Sequence, residues 1–140
     1  PEAAATLAIQ PAERDERPVS RRLLIVDDNV DAAESLSMVL EMLGHEVRSV
    51  HDGLSALEAA RAMGPDIVIL DIGMPGMSGY DVARRLRDDA ATARAVLVAL
   101  TGWGTAEERS RTREAGFDLH LTKPVDIATL QRLLDSLPRG

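Results

Sequence analysis

From residue 21 onward, short apolar runs alternate with amphipathic stretches, the pattern of successive strand–helix units. Leu23–Val26 reads as a strand, followed by a helix over Asp31–Leu43 in which Ala33, Leu36, Leu40 and Leu43 recur at helical spacing and Gly44 ends the run. Glu46–Val50 is a second strand whose stronger alternation predicts an edge position. A helix over Gly53–Met63 stops at Gly64 and Pro65, and Asp66–Leu70 is apolar enough for a central strand. Three glycines and a proline between Ile72 and Gly79 exclude regular structure and predict a loop at that strand's carboxyl end. The alternation then resumes with a helix over Tyr80–Asp88, a strand over Ala95–Leu100, a helix over Thr105–Ala115, a short strand over Asp118–Leu121 and a last helix over Asp126–Leu137.

Five strand–helix units joined by right-handed crossovers predict an α/β domain, a doubly wound (βα)5 fold of the flavodoxin-like kind with a five-stranded parallel sheet in order 2-1-3-4-5. Residues 1–20 carry Pro1, Pro11, Pro18 and the charged run Glu13–Arg17 without a sustained apolar period, so they read as a flexible linker or leader, and 21–140 as the domain. The chain starts at Pro1 without a methionine, which predicts a piece of a longer polypeptide or a processed product. Its 140 residues suffice for one core. A net charge of -7 argues against nucleic acid or an anionic membrane as a direct partner. The absence of cysteine excludes disulfides and thiolate metal sites, and no apolar run is long enough to span a bilayer, so a soluble, cytoplasmic protein is expected.

Polar residues stand just past the apolar runs: Asp27 and Asp28, Asp71, Thr101 and Lys123. In an open parallel sheet all of them gather at one edge, in the crevice where the strand order reverses. A lone Asp pair would serve as a helix cap. A third carboxylate beside it creates like-charge repulsion that a hard cation relieves, and Mg²⁺ suits carboxylate, carbonyl and phosphate oxygens. Lys123 adds a point donor for a phosphoryl oxygen, Thr101 a hydroxyl, and Gly102 an unhindered backbone N–H.

Four motifs occur in order: Val26-Asp27-Asp28-Asn29, Leu70 through Tyr80 with Asp71 near its start, Ala99-Leu100-Thr101-Gly102, and Leu121-Thr122-Lys123-Pro124. Together they resemble the receiver domain of two-component response regulators over about Arg22 to Leu137. The resemblance implies that Asp71 is the phosphoacceptor for a histidine kinase or histidine phosphotransfer protein. It implies that Asp28, Asp71 and the Gly73 carbonyl bind Mg²⁺ directly and Asp27 through water. It further implies that Lys123 pairs with the phosphoryl group, Thr101 hydrogen-bonds it, the Gly73 and Gly102 backbones contact it, and the Lys123–Pro124 peptide is cis. Phosphorylation is then expected to switch the face formed by the fourth and fifth units for partner binding. Such a domain is a signalling module rather than an enzyme, with at most slow self-dephosphorylation. A hybrid sensor histidine kinase is the expected parent, and homodimerisation is possible but indicated by no residue.

The chain departs from the family pattern at His120, where an aromatic switch residue usually stands. Its plain reading is an inert surface histidine, and its sharper one couples activation to pH near the usual imidazole pKa of ~6.5. Gly73 and Trp103 occupy positions tied to phosphoryl lifetime and predict slow loss, the indole serving either as a shield or as a partner anchor. His45 and His51 read as surface residues, Met63, Met74 and Met77 as packing or loop positions, and Arg84, Arg85 and Arg87 as a solvated face. Two other functions are weaker fits. A haloacid-dehalogenase-type phosphatase needs a second acid where Gly73 stands, and a docking module that never carries phosphate does not need Asp71, Thr101 and Lys123 together.

Overall fold

The computed structural model describes residues 20–102 and 104–137; the expectations for the leader, apart from Ser20, and for Trp103 lie outside them. Strands β1 (Arg22–Val26), β2 (Glu46–Val50), β3 (Ile67–Asp71), β4 (Val96–Thr101) and β5 (Leu119–Thr122) alternate with helices α1 (Val30–Met42), α2 (Gly53–Met63), α3 (Gly79–Asp88), α4 (Ala106–Ala115) and α5 (Ile127–Ser136). All pairings are parallel and the order is β2-β1-β3-β4-β5, the doubly wound topology expected, with β2 at an edge.

Alternating side chains of the central strands feed two cores. Leu24, Val26, Val68 and Leu70 pack with α2 and α3, whereas Leu23, Ile25, Ile67 and Ile69 pack with α1 and α5. Each fully buried leucine or isoleucine contributes about 1.5–3 kcal/mol, which is why β1 and β3 carry apolar residues on both faces. Local chemistry sets the helix starts. Asn29, Asp52, Ser78 and Thr105 each accept a bond from the backbone N–H three residues on. Gly64 and Gly116 end α2 and α4 in the left-handed region.

Three strands run one residue further than the apolar runs, so Asp71, Thr101 and Thr122 sit inside the ladder. Backbone pairing continues regardless of side-chain polarity, as the Ile72 N–H donating to Leu100 and the Lys123 N–H donating to Thr101 show.

The reading of Arg87 as part of a solvated face is corrected. Arg84 and Arg85 are exposed, but Arg87 turns back to donate to the carbonyls of Gly116, Ala93 and Ala95 and to the Asp118 carboxylate. His45 is also not a surface residue: it is 5% exposed, and its Nδ1 accepts from the Arg21 N–H at 3.2 Å. Burial holds its pKa below the ordinary imidazole value, partly opposed by Gln131. A lowered folded pKa makes the unfolded chain bind more protons below the unfolded value, so this contribution to stability is complete above about pH 6.5 and is lost as pH falls further. Between pH 7.5 and 5.5 the unfolding free energy of the wild type, from urea titration, is expected to fall more steeply than that of His45→Gln, by no more than about 1.4 kcal/mol per pH unit. Equal slopes would remove His45 as the cause.

Candidate functional site

The carboxyl ends of β1, β3, β4 and β5 meet at one edge of the sheet, and every strand-end polar residue singled out in the sequence arrives there. Asp27 and Asp28 follow β1, Asp71 closes β3, Thr101 closes β4, and Lys123 follows β5. One carboxylate oxygen each from Asp27, Asp28 and Asp71 lies within 4.8 Å of the others. Asp27 and Asp71 are 3% and 7% exposed, while Asp28 is open to solvent. The Lys123 ammonium donates to Asp71 Oδ2 at 3.1 Å and lies 3.5 Å from Asp27 Oδ2. The Gly73 N–H donates to Asp71 Oδ1 at 3.0 Å, and the Asn29 N–H donates to Asp27 Oδ1 at 3.0 Å. The Lys123–Pro124 peptide is cis.

These contacts explain the local electrostatics. Burial raises the Asp27 pKa and the neighbouring Asp71 raises it further, which together outweigh the Asn29 N–H and Lys123. Burial alone would lower the Lys123 pKa, but its bonds and charge interactions with Asp71 and Asp27 lift it above the ordinary lysine value. One ammonium thus faces two of the three acidic side chains, and the donor set consists of oxygens of two buried carboxylates and one exposed one. That set fits a small hard divalent cation such as Mg²⁺, which takes a few protein oxygens and keeps waters on its open side.

A stability test separates the metal from the fold. A raised folded pKa means that ionised Asp27 destabilises the native state as pH rises through that pKa. Asp27→Asn is therefore expected to raise the melting temperature without metal. Wild type at ten times the Mg²⁺ dissociation constant should gain about 1.4 kcal/mol, a gain that shrinks in the variant at the same Mg²⁺ concentration. Thermal scans with Mg²⁺ and with EDTA decide the matter, and a variant less stable than wild type in EDTA would contradict the electrostatic account.

Loop glycines keep the edge open. A side chain on Gly79 would meet the Ile72 Cα at 2.5 Å and the Asp71 carbonyl oxygen at 2.7 Å, so α3 starts against the loop only because residue 79 is glycine. At Gly102 a side chain would meet nothing within 4 Å. Met74 is buried and Met77 packs against Gly53, in keeping with packing roles rather than metal ligation. His51, taken as a surface residue, is half-buried, with Nδ1 3.2 Å from the Asp27 carbonyl oxygen. His120 is not an open surface residue either: Nε2 lies 3.4 Å from Thr101 Oγ1 and 3.7 Å from Glu108 Oε1. Sequence reasoning missed Glu108, whose only signal is its place in the first turn of α4.

The family model described as the response regulator receiver domain matches residues 23–135. The DNA-binding dual master transcriptional regulator RpaA of Synechocystis is 33% identical over 118 residues, which cover 84% of this chain and 49% of RpaA. The virulence sensor protein BvgS of Bordetella pertussis is 37% identical over 146 aligned residues, covering 100% of this chain and 12% of BvgS. The chain thus spans about half of the first relative, at 49%, and a small part of the second, at 12%. The receiver domain of the sensor histidine kinase PA1611 of Pseudomonas aeruginosa, solved with a magnesium ion coordinated in its active-site cleft, superposes with a TM-score of 0.75 at 30% identity. That match covers 83% of this chain and 95% of the solved one.

Proposed function

This chain belongs to the response regulator receiver domain family, and from that premise we propose that Asp71 takes a phosphoryl group from a phosphohistidine donor while Mg²⁺ is bound at the acidic cluster. The observation that carries this reading is the cluster of three carboxylates at the sheet edge, two of which, Asp71 and Asp27, meet the Lys123 ammonium. Asp28, Asp71 and the Gly73 carbonyl would hold the cation, and Asp27 would act on it through water. When bound, the cation supplies charge neutralisation for the transferring phosphoryl oxygens.

The chain's own residues do the rest. The Asp71 carboxylate needs no base, because an ionised carboxylate is already a nucleophile, and the Lys123 and Gly73 hydrogen bonds fix its direction. In the transfer an Asp71 oxygen forms a bond to phosphorus as the P–N bond to the donor histidine breaks, leaving neutral imidazole after it takes a proton. Lys123 then pairs with the new phosphoryl group, the Thr101 hydroxyl donates to it, and the Gly73 and Gly102 N–H groups complete the cradle. The product is a signalling state, not a released metabolite, so the domain acts as a phosphoacceptor rather than an enzyme.

Residues 21–140 form the receiver and 1–20 a leader outside it, as the start of the family match at residue 23 supports. The match of this chain to 12% of BvgS supports a segment of a larger sensor kinase, acting in the cytoplasm on a kinase or phosphotransfer partner rather than on nucleic acid. Among the described residues no helix is long and apolar enough to cross a membrane. The test is intact-protein mass spectrometry after incubation with acetyl phosphate. A Mg²⁺-dependent gain of about 80 Da that hydroxylamine removes supports an acyl phosphate, whereas Mg²⁺ binding without a gain supports a docking role.

A further inference from the structure

The switch position holds a three-residue contact that spans β4, β5 and α4. His120 Nε2 faces two oxygens at once, Thr101 Oγ1 at 3.4 Å and Glu108 Oε1 at 3.7 Å. Both side chains of the ion-pair contact are sheltered, His120 at 13% and Glu108 at 18% exposure. Glu108 Oε1 is buried and has no hydrogen-bond partner among the described residues, although a buried carboxylate oxygen needs one. The His120 ring is the donor in position to supply it, after a shift of a few tenths of an ångström.

The location of the ring proton matters for the neighbouring hydroxyl. If neutral His120 carries its proton on Nδ1, Nε2 is a bare acceptor and competes for the Thr101 hydroxyl hydrogen. If the proton is on Nε2, the ring donates, and the Thr101 oxygen can accept from it while its own hydrogen turns elsewhere. We propose that Glu108 is a positioning residue: its carboxylate keeps the His120 proton on Nε2, which removes the ring as a rival acceptor for the Thr101 hydroxyl hydrogen that the phosphoryl group on Asp71 takes. This rests on the phosphoacceptor reading only in its last clause, because the tautomer is a property of the unphosphorylated protein.

The test uses the whole chain and two variants. Nitrogen-15 NMR of the His120 ring at pH 8 is expected to show the proton on Nε2 in wild type and in Glu108→Gln, whose amide oxygen also accepts, and on Nδ1 in Glu108→Ala. The initial rate of Mg²⁺-dependent uptake from acetyl phosphate should fall about threefold to tenfold in Glu108→Ala, the worth of one hydrogen bond, and stay within about twofold of wild type in Glu108→Gln. An unchanged tautomer in Glu108→Ala, or a Gln variant that behaves like Ala, overturns the proposal. Absence of uptake in wild type with the expected tautomer change intact would instead overturn the phosphoacceptor reading, and with it the last clause alone.

Discussion

Asp71→Asn is expected to abolish the Mg²⁺-dependent gain of about 80 Da from acetyl phosphate while leaving the fold intact. The amide is isosteric with the carboxylate but uncharged, and an uncharged amide does not attack phosphorus at neutral pH. Lys123 and Gly73 donate to different Asp71 oxygens, so asparagine keeps an acceptor for one of them and loses the other bond to its amide NH2. Repulsion with Asp27 disappears at the same time, and thermal stability in EDTA should match or exceed that of wild type. A folded variant that still gains the adduct would move the acceptor to Asp27 or Asp28, the other carboxylates of the cluster.

Arg87→Ala is expected to destabilise the domain by about 3 kcal/mol, a large effect for a charged side chain outside the acidic edge. The side chain is 24% exposed and reaches four acceptors on two connections: Ala93 and Ala95 before β4, and Gly116 and Asp118 between α4 and β5. Asp118 in turn accepts from the Leu97 N–H at 2.9 Å, so the clamp reaches into the sheet. Alanine leaves these acceptors without their donor, and the partial exposure of Asp118 limits the loss because water replaces some bonds. Arg87→Lys should recover less than half of the difference, since a point charge does not reproduce a planar fork that bonds in several directions. Urea unfolding is the measurement: a lower midpoint at unchanged slope is expected, and a loss below about 1 kcal/mol would show the clamp to be ornamental.

The acidic edge was readable because its geometry follows from topology. Side chains that end successive parallel strands must converge, so the sequence alone groups Asp27, Asp28, Asp71, Thr101 and Lys123. The run of apolar residues likewise marked every strand, although the last residue of three strands was missed because backbone pairing does not read side-chain polarity. The histidines and Arg87 were legible only as polar residues, and polarity in isolation reads as exposure.

Local periodicity, helix-stopping glycines and strand-end chemistry are short-range signals, and they determined the helix limits to within about a residue or two and the membership of the acidic site, while the sheet order followed from the right-handed crossover rule and the commonest small topology for five such units. Tertiary structure alone decided that Arg87 ties three segments together, that His45 is buried against Arg21, and that His120 shares one ring nitrogen between Thr101 and Glu108. These contacts join residues 6 to 31 positions apart. The rotation of each helix about its axis and the rotamer of each long side chain set them, and no repeat along the chain encodes either.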